Sequence, residues 1–212
     1  MEVDPLTAGT ALAAAAAIGY LIGSVPFGYL LARTQGVDLM AHGSRSTGAT
    51  NALRTLGPTA GLITLICDAG KAVVAILIAR GLLAGCAQPW PSYGAAAAAL
   101  AVIIGHSWSV FLRFRGGKSV AAGAGSLLML KPGLLLWGMA VFVGTVAVTR
   151  YVSLGSLLAA LTVLIAALVA PLPLELRIFV VATAVIIIAR HRANIQRLLA
   201  GTENRLSVRA RR

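Results

Sequence analysis

The chain has 212 residues, 58% of them hydrophobic and 11% charged, and its mean hydropathy is +0.89. That excludes a soluble domain, which at this size needs far more polar surface; the sequence describes an integral membrane protein, read as one domain over residues 1–212. The formal net charge of +12 would suggest nucleic acid in a soluble protein, but membrane proteins place Lys and Arg asymmetrically, so it is read first by position and no nucleic-acid partner is expected.

The N-terminus carries Glu2 and Asp4 instead of a basic n-region, so no cleavable signal peptide is expected. Seven apolar segments follow: Leu6–Ala32, Pro58–Leu83, Tyr93–Leu112, Val120–Leu130, Leu134–Val148, Val152–Ala170 and Leu174–Ala189. A full crossing takes roughly 20 residues. Six of the segments reach or approach that length. The fourth, with 11 residues, is either a short crossing with its polar ends buried in protein or a half-helix lining a cavity; an odd number of crossings fits the charges. With the N-terminus outside, the cytoplasmic regions 33–57, 113–119, 149–151 and 190–212 hold 14 basic residues, ending with Arg205, Arg209, Arg211 and Arg212. The opposite side holds three, Arg80, Lys131 and Arg177. The expectation is an all-α polytopic bundle of about seven helices, N-terminus outside and C-terminus cytoplasmic, with anionic membrane lipid beside the C-terminal arginines.

In the first segment Gly23-Ser24-Val25-Pro26-Phe27-Gly28 interrupts the apolar run. Pro26 removes a backbone donor and predicts a kink, serving either packing or a cavity. His42–Asn51, running on to Arg54, is almost wholly small or polar. Ser44, Ser46, Thr47, Thr50 and Asn51 offer side-chain donors, Gly43 and Gly48 let backbone N–H groups turn inward, and Arg45 and Arg54 add fixed positive charge. Such a loop entering a helix makes an anion cradle, or else a polar connector, and no Walker-type spacing is present. Asp68 and Lys71 lie three apart on one face of the second segment and neutralise each other at a depth where charge is costly. Cys67 and Cys86 sit in apolar surroundings and read as small core hydrophobes.

Arg113-Phe114-Arg115-Gly116-Gly117-Lys118-Ser119 combines two glycines and an ammonium at the start of a helix, a second anion site or a basic orientation signal. Ser153 follows Arg150-Tyr151-Val152 as a rim hydroxyl or an N-cap. His191 and Asn194, three apart, share a helix face after Arg190. All these clusters fall on one side of the membrane in the seven-crossing topology. That implies a phosphorylated ligand approaching from the cytoplasm and a lipid or acyl partner in the bundle.

Gly23–Gly28, His42–Arg54, Asp68–Lys71, Gly105-His106 through Lys118, Arg150–Leu154, Arg190–Ile195 and Arg197–Glu203 occur in an order that resembles the integral-membrane acyl-phosphate:glycerol-3-phosphate acyltransferase family of bacteria, over nearly the whole chain. The resemblance implies transfer of an acyl group from acyl phosphate to the 1-hydroxyl of sn-glycerol 3-phosphate in the bacterial inner membrane, with no cofactor. It puts Ser44, Thr50, Asn51, Arg54, Lys118, Ser153, His191 and Asn194 at the family's site positions. Arg45-Ser46 stands where the family has Gly-Asn, and Ser119 where it has glycine. An acyl phosphate is already activated, so positioning and charge neutralisation are the main demands. Lys118 and Arg54 would neutralise phosphate. Gly43–Thr50 and Gly116–Gly117 would supply N–H donors. His191 is either a general base or an orienting group while the substrate's own phosphate takes the proton. A His-x₄-Asp acyltransferase signature, a nucleophile–base–acid set and metal-ligand spacing are absent from the sequence. The competing class is a transporter or channel for a phosphorylated or lipid anion, which a broken helix and deep charges would also suit.

Overall fold

In lipid every backbone donor needs a partner inside its own segment, which leaves helices as the way to build apolar runs of this length. The computed structural model describes residues 5–206, so Glu2, Asp4, Arg209, Arg211 and Arg212 lie outside the described residues. The helices are α1 Pro5–Ser24, α2 Phe27–Thr34, α3 Ala49–Leu56, α4 Pro58–Leu82, α5 Trp90–Ser107, α6 Val120–Leu130, α7 Pro132–Thr149, α8 Val152–Val169, α9 Leu174–Arg190 and α10 Arg192–Leu199, with one 3₁₀ turn at Val110–Leu112. Among the described residues there is no strand beyond an isolated bridge between Ser109 and Arg115. Among the described residues four stretches are long and apolar enough to cross a membrane: Leu6–Thr34, α4, α7 and α8.

The first apolar segment divides at Val25-Pro26 into α1 and α2, as the proline requires. The third begins earlier than its apolar run, because Pro91 is tolerated in a first turn. It also ends five residues sooner, at Ser107, where the chain turns into the 3₁₀ segment. α6 has the 11 residues expected. At about 1.5 Å per residue it is roughly 16 Å long, about half the hydrocarbon thickness, and its residues line the central cavity. Arg80 of α4 donates to the Met129 carbonyl at the end of α6 (2.8 Å), satisfying an orphan helix acceptor.

α1 and α5 meet backbone to backbone: a Cβ at Gly23 would run into Val102, and one at Gly105 into Tyr20 and Ser24. Small residues permit that approach, which membrane helices use in place of a hydrophobic driving force. Ile76, Val102, Ile103, Phe179 and Val180 form the centre of the core between α4, α5 and α9. Outward, Leu62, Ile66, Leu136, Trp137, Leu161, Leu168 and Val185 stand exposed, an apolar exterior suited to lipid. The C-terminal ends of α1, α5, α7 and α9 and the N-terminal ends of α4, α6 and α8 gather the polar loops at one end of the bundle.

Candidate active site

A cavity of about 270 Å³ opens at that end. Its polar head is formed by Ser44, Ser46, Gly48, Thr50, Asn51, Arg54, Lys118, Ser119, Ser153, His191, Asn194 and Glu203, with Asp68 and His106 beside it. Its far part is lined by Leu127, Leu135, Met139, Phe142, Val163 and Phe179 from α6, α7, α8 and α9.

The first loop is organised from within by Asn51. The two N–H groups of its amide nitrogen are shared among the carbonyls of Leu39 (3.0 Å), His42 (3.1 Å) and Ser46 (2.9 Å), and its oxygen accepts the Ser44 N–H (2.9 Å). Every polar group of this buried amide is therefore engaged with the loop backbone, which it shapes. Gly43 has φ +57, and a Cβ there would strike the Asn51 amide oxygen; only glycine fits. Gly48 is the N-cap of α3, so the helix start with its unpaired N–H groups borders the cavity. Ser46 Oγ accepts from the Gly48 N–H (3.4 Å). Arg54, on α3, donates to the Asn204 carbonyl (2.9 Å). Burial pulls its pKa down, opposed by the Glu203 charge and assisted by Arg197.

The second loop differs from expectation. Gly117 donates its N–H to the His106 carbonyl (2.9 Å), and neither Gly116 nor Gly117 lines the cavity. Their glycine requirement is steric: a Cβ at Gly116 would strike the His106 and Ser107 carbonyls, and one at Gly117 the His106 ring. Arg190 holds both carbonyls, Gly117 from Nε and Gly116 from Nη2, each at 3.0 Å. Gly43 and Thr47 are likewise outside the cavity lining. These four shape the loops and do not face the cavity.

Lys118 does face it, donating to Asn194 Oδ1 at 2.7 Å. Burial is the main cause that lowers its ammonium pKa to about 8; Glu203 opposes, while Arg197, Arg54 and Arg190 push further down. His191 is not on one continuous helix with Asn194, as their spacing suggested. The helix breaks at His191, between α9 and α10, yet both side chains reach the cavity. His191 Nδ1 lies 2.8 Å from the Ile187 carbonyl. A carbonyl only accepts, so Nδ1 carries the proton and Nε2 presents a lone pair. Burial, then the Lys118 charge, lowers the His191 pKa to about 4, so the ring is neutral near pH 7.

Sequence reasoning missed Glu203 as a site residue. Its Oε1 accepts from Ser153 (3.0 Å) and Asn194 (2.9 Å), and its Oε2 from Arg197 (2.7 Å). Burial raises its pKa, but these three hydrogen bonds and the Arg197 charge outweigh that and hold the group below its ordinary value. Ser153 is thus no N-cap, a position Tyr151 occupies. Gly201, at φ +68, turns the chain after α10, and the sequence signal was a lone acid in a basic tail. Also missed was His106, which joins the expected Asp68–Lys71 pair (3.0 Å) through its Nδ1, 2.8 Å from Lys71 Nζ. Among the described residues no His, Cys, Asp or Glu group converges in a set able to hold a metal ion.

A helical membrane protein with a cation-bearing polar head continuous with an apolar chamber is built to hold an amphiphile by its charged end. The chain belongs to the glycerol-3-phosphate acyltransferase family, whose profile it matches over residues 13–201. It is 47% identical over 200 residues to the glycerol-3-phosphate acyltransferase of Symbiobacterium thermophilum, covering 94% of this chain and 97% of the relative. It is 48% identical over 190 residues to that of Geobacter sulfurreducens, covering 89% and 94%. The fold is similar to the crystal structure of PlsY, an integral membrane glycerol 3-phosphate acyltransferase, in its glycerol 3-phosphate form: TM-score 0.83, 34% identity, 92% of this chain and 96% of that one. The lysophosphatidic acid form of PlsY matches with a TM-score of 0.80 at 33% identity, covering 93% and 96%.

Proposed function

We propose that this chain, as one membrane acyltransferase domain, transfers a fatty acyl group from acyl phosphate to the 1-hydroxyl of sn-glycerol 3-phosphate, giving lysophosphatidic acid and phosphate. The observation that carries the reading is the single cavity in which Lys118 and Arg54 border the same space as the apolar chamber of α6 to α9. Family membership supplies the acceptor. The acyl-phosphate donor is the one the family resemblance implies, and the site supports it: a mixed anhydride needs its phosphate held and its carbonyl polarised, work suited to a cationic pocket with a helix start.

In the proposed step the glycerol 1-hydroxyl oxygen attacks the acyl carbon, the carbon–oxygen bond to phosphate breaks, and phosphate leaves with the electron pair. Lys118, Arg54 and the start of α3, with Ser44, Ser46 and Thr50, bind phosphate. Ser153, Asn194 and His191 orient the glycerol part. A base is most effective when its pKa lies near the working pH, and His191 at about 4 is too weak for that. Its Nε2 accepts a hydrogen bond from the hydroxyl, and the leaving phosphate or the substrate phosphate takes the proton. No covalent acyl-enzyme is required. Residues of the polar head face the cytoplasm in the bacterial inner membrane, in accord with the basic residues of the connecting loops.

The test is release of inorganic phosphate from palmitoyl phosphate by the purified protein. Release that depends on glycerol 3-phosphate, with lysophosphatidic acid formed in equal amount, is expected. Efficient transfer from acyl-coenzyme A alone, or glycerol 3-phosphate uptake into vesicles without acylation, would overturn the reading.

A further inference from the structure

We propose that the buried Asp68–Lys71–His106 cluster is a positioning unit that sets the Gly116–Ser119 turn, and through it the place of the Lys118 ammonium, for acyl transfer. The inference rests on the acyltransferase reading above.

Lys71 has three N–H donors and three acceptors in reach: Asp68 Oδ1 at 3.0 Å, the Val25 carbonyl at 3.1 Å and His106 Nδ1 at 2.8 Å. An ammonium so placed is fully satisfied, and no other donor remains to it. Because it donates to Nδ1, His106 is held in one tautomer and one ring orientation, with its proton on Nε2. The ring lies directly against Gly117, in the space a Cβ would occupy. The His106 carbonyl accepts the Gly117 N–H at 2.9 Å. Arg190 grips the same turn through the Gly116 and Gly117 carbonyls, each at 3.0 Å. On the far side of Lys118, Ser119 Oγ donates to the Ile103 carbonyl at 2.9 Å and lies 2.7 Å from Ser107 Oγ. Lys118 therefore projects from a turn fixed at both ends, and the cluster supplies one of the two fixings.

The same ammonium uses the break that Pro26 makes in the first apolar segment. Val25 lies where Pro26 interrupts the helix, so its carbonyl is available to Lys71 and not to a next helical turn. Just beyond the break, Gly28 packs against the Thr47 carbonyl of the first loop. One buried cation thus ties both loops of the polar head to a common reference. A purely structural ion pair would need neither the histidine nor the broken helix.

Two variants test this in the full chain, purified and reconstituted. His106→Asn keeps a side-chain acceptor for Lys71 but removes the ring beneath Gly117. Asp68→Asn with Lys71→Met removes both charges together, so neither is left unpaired in the interior. Both are expected to melt cooperatively. A displacement of Lys118 by about 1 Å corresponds to a fall in kcat/KM of about 10²-fold. A loosened turn also admits water to Lys118, so its ionisation should move up from about 8 toward the ordinary lysine value. Arg54, Arg190, His191, Arg197 and Glu203 face it and stay in place. That ionisation is read twice, as the alkaline limb of the kcat/KM profile and by pH-dependent labelling of the Lys118 amine, which needs no turnover. A folded variant with wild-type rate and ionisation overturns the inference. A lowered rate with unmoved ionisation also does, since it marks a role in folding alone. If the double variant does not fold, His106→Asn decides. A wild-type protein that transfers no acyl group overturns the acyltransferase reading, while the labelling still tests the placement of Lys118.

Discussion

Replacing Lys118 by alanine removes an ammonium that sits 2.7 Å from Asn194 Oδ1, among the residues of the polar head. A charge-assisted contact to phosphate in such a partly desolvated site contributes roughly 2–4 kcal/mol of transition-state stabilisation, so kcat/KM should fall by about 30- to 1000-fold. Lys118→Arg should recover only part of this, because a planar fork does not replace a compact ammonium.

The pKa of about 8 adds a signature in pH. Burial disfavours the charged form, so the active ammonium is roughly 90% populated at pH 7 and roughly 10% at pH 9. The rate of the wild type should therefore fall about tenfold per unit above pH 8, whereas Lys118→Arg, charged throughout, should show no such limb. The assay is glycerol 3-phosphate-dependent phosphate release at saturating palmitoyl phosphate, from pH 6 to 10. A fully active Lys118→Ala protein, or an alkaline limb unchanged in Lys118→Arg, would refute the assignment, and the Arg113–Ser119 loop would revert to an orientation signal.

His191→Asn should retain measurable activity and the wild-type acidic limb if the ring only orients the hydroxyl; a collapse of turnover, with the acidic limb gone from the residual rate, would make it the base. The same residue gives a stability test. Its folded pKa of about 4 lies below the unfolded value of about 6.5, so the unfolded chain binds more protons between them. Stability should therefore rise with pH across that window, by about 3 kcal/mol at most. The melting temperature of wild type should drop from pH 7 to pH 4.5 by more than that of His191→Asn; equal drops would exclude the histidine as the cause. Arg45→Gly should raise the melting temperature relative to Ser119→Gly by an amount equivalent to about 1–3 kcal/mol, since both relieve a left-handed backbone but only the second strands a buried hydrogen-bond partner. Reporter fusions or cysteine labelling should place residues 116 and 150 in the cytoplasm and residues 84–89 outside, and both termini on one side of the membrane would refute the seven-crossing topology.

The long helices were legible because an apolar run of membrane length has one stable backbone solution, and α6 matched its sequence bounds from Val120 to Leu130. α3 and α10 were not legible as separate short helices, because eight polar-rich residues have too little intrinsic tendency to fold alone. α3 is held by its loop and α10 by the Glu203 network. The cavity's cations were legible as local clusters. Their partners were not, because Ser153 and Glu203 lie 50 residues apart and Lys71 and His106 lie 35 apart, separations that no spacing rule connects.

The departures from the family pattern yield to the same reasoning. Where glycine was expected the chain has Arg45 and Ser119, and both adopt the conformation that favours glycine, with φ of 53° and 58°. The turns have therefore been kept while the side chains changed. At position 45 the new side chain is exposed, and the strain of about 1–2 kcal/mol is offset by no side-chain hydrogen bond of Arg45 among the described residues. At position 119 the hydroxyl is buried between the Ile103 carbonyl and Ser107 Oγ, which returns a similar amount. Ser119 also borders the cavity directly after Lys118. A glycine there would leave the turn free to flex at the residue that follows the ammonium; the serine ties it to the end of α5. The placement of Lys118 thus draws on the Ser119 hydroxyl where a glycine was expected, and the proposed phosphate site keeps the same loops under a different local constraint.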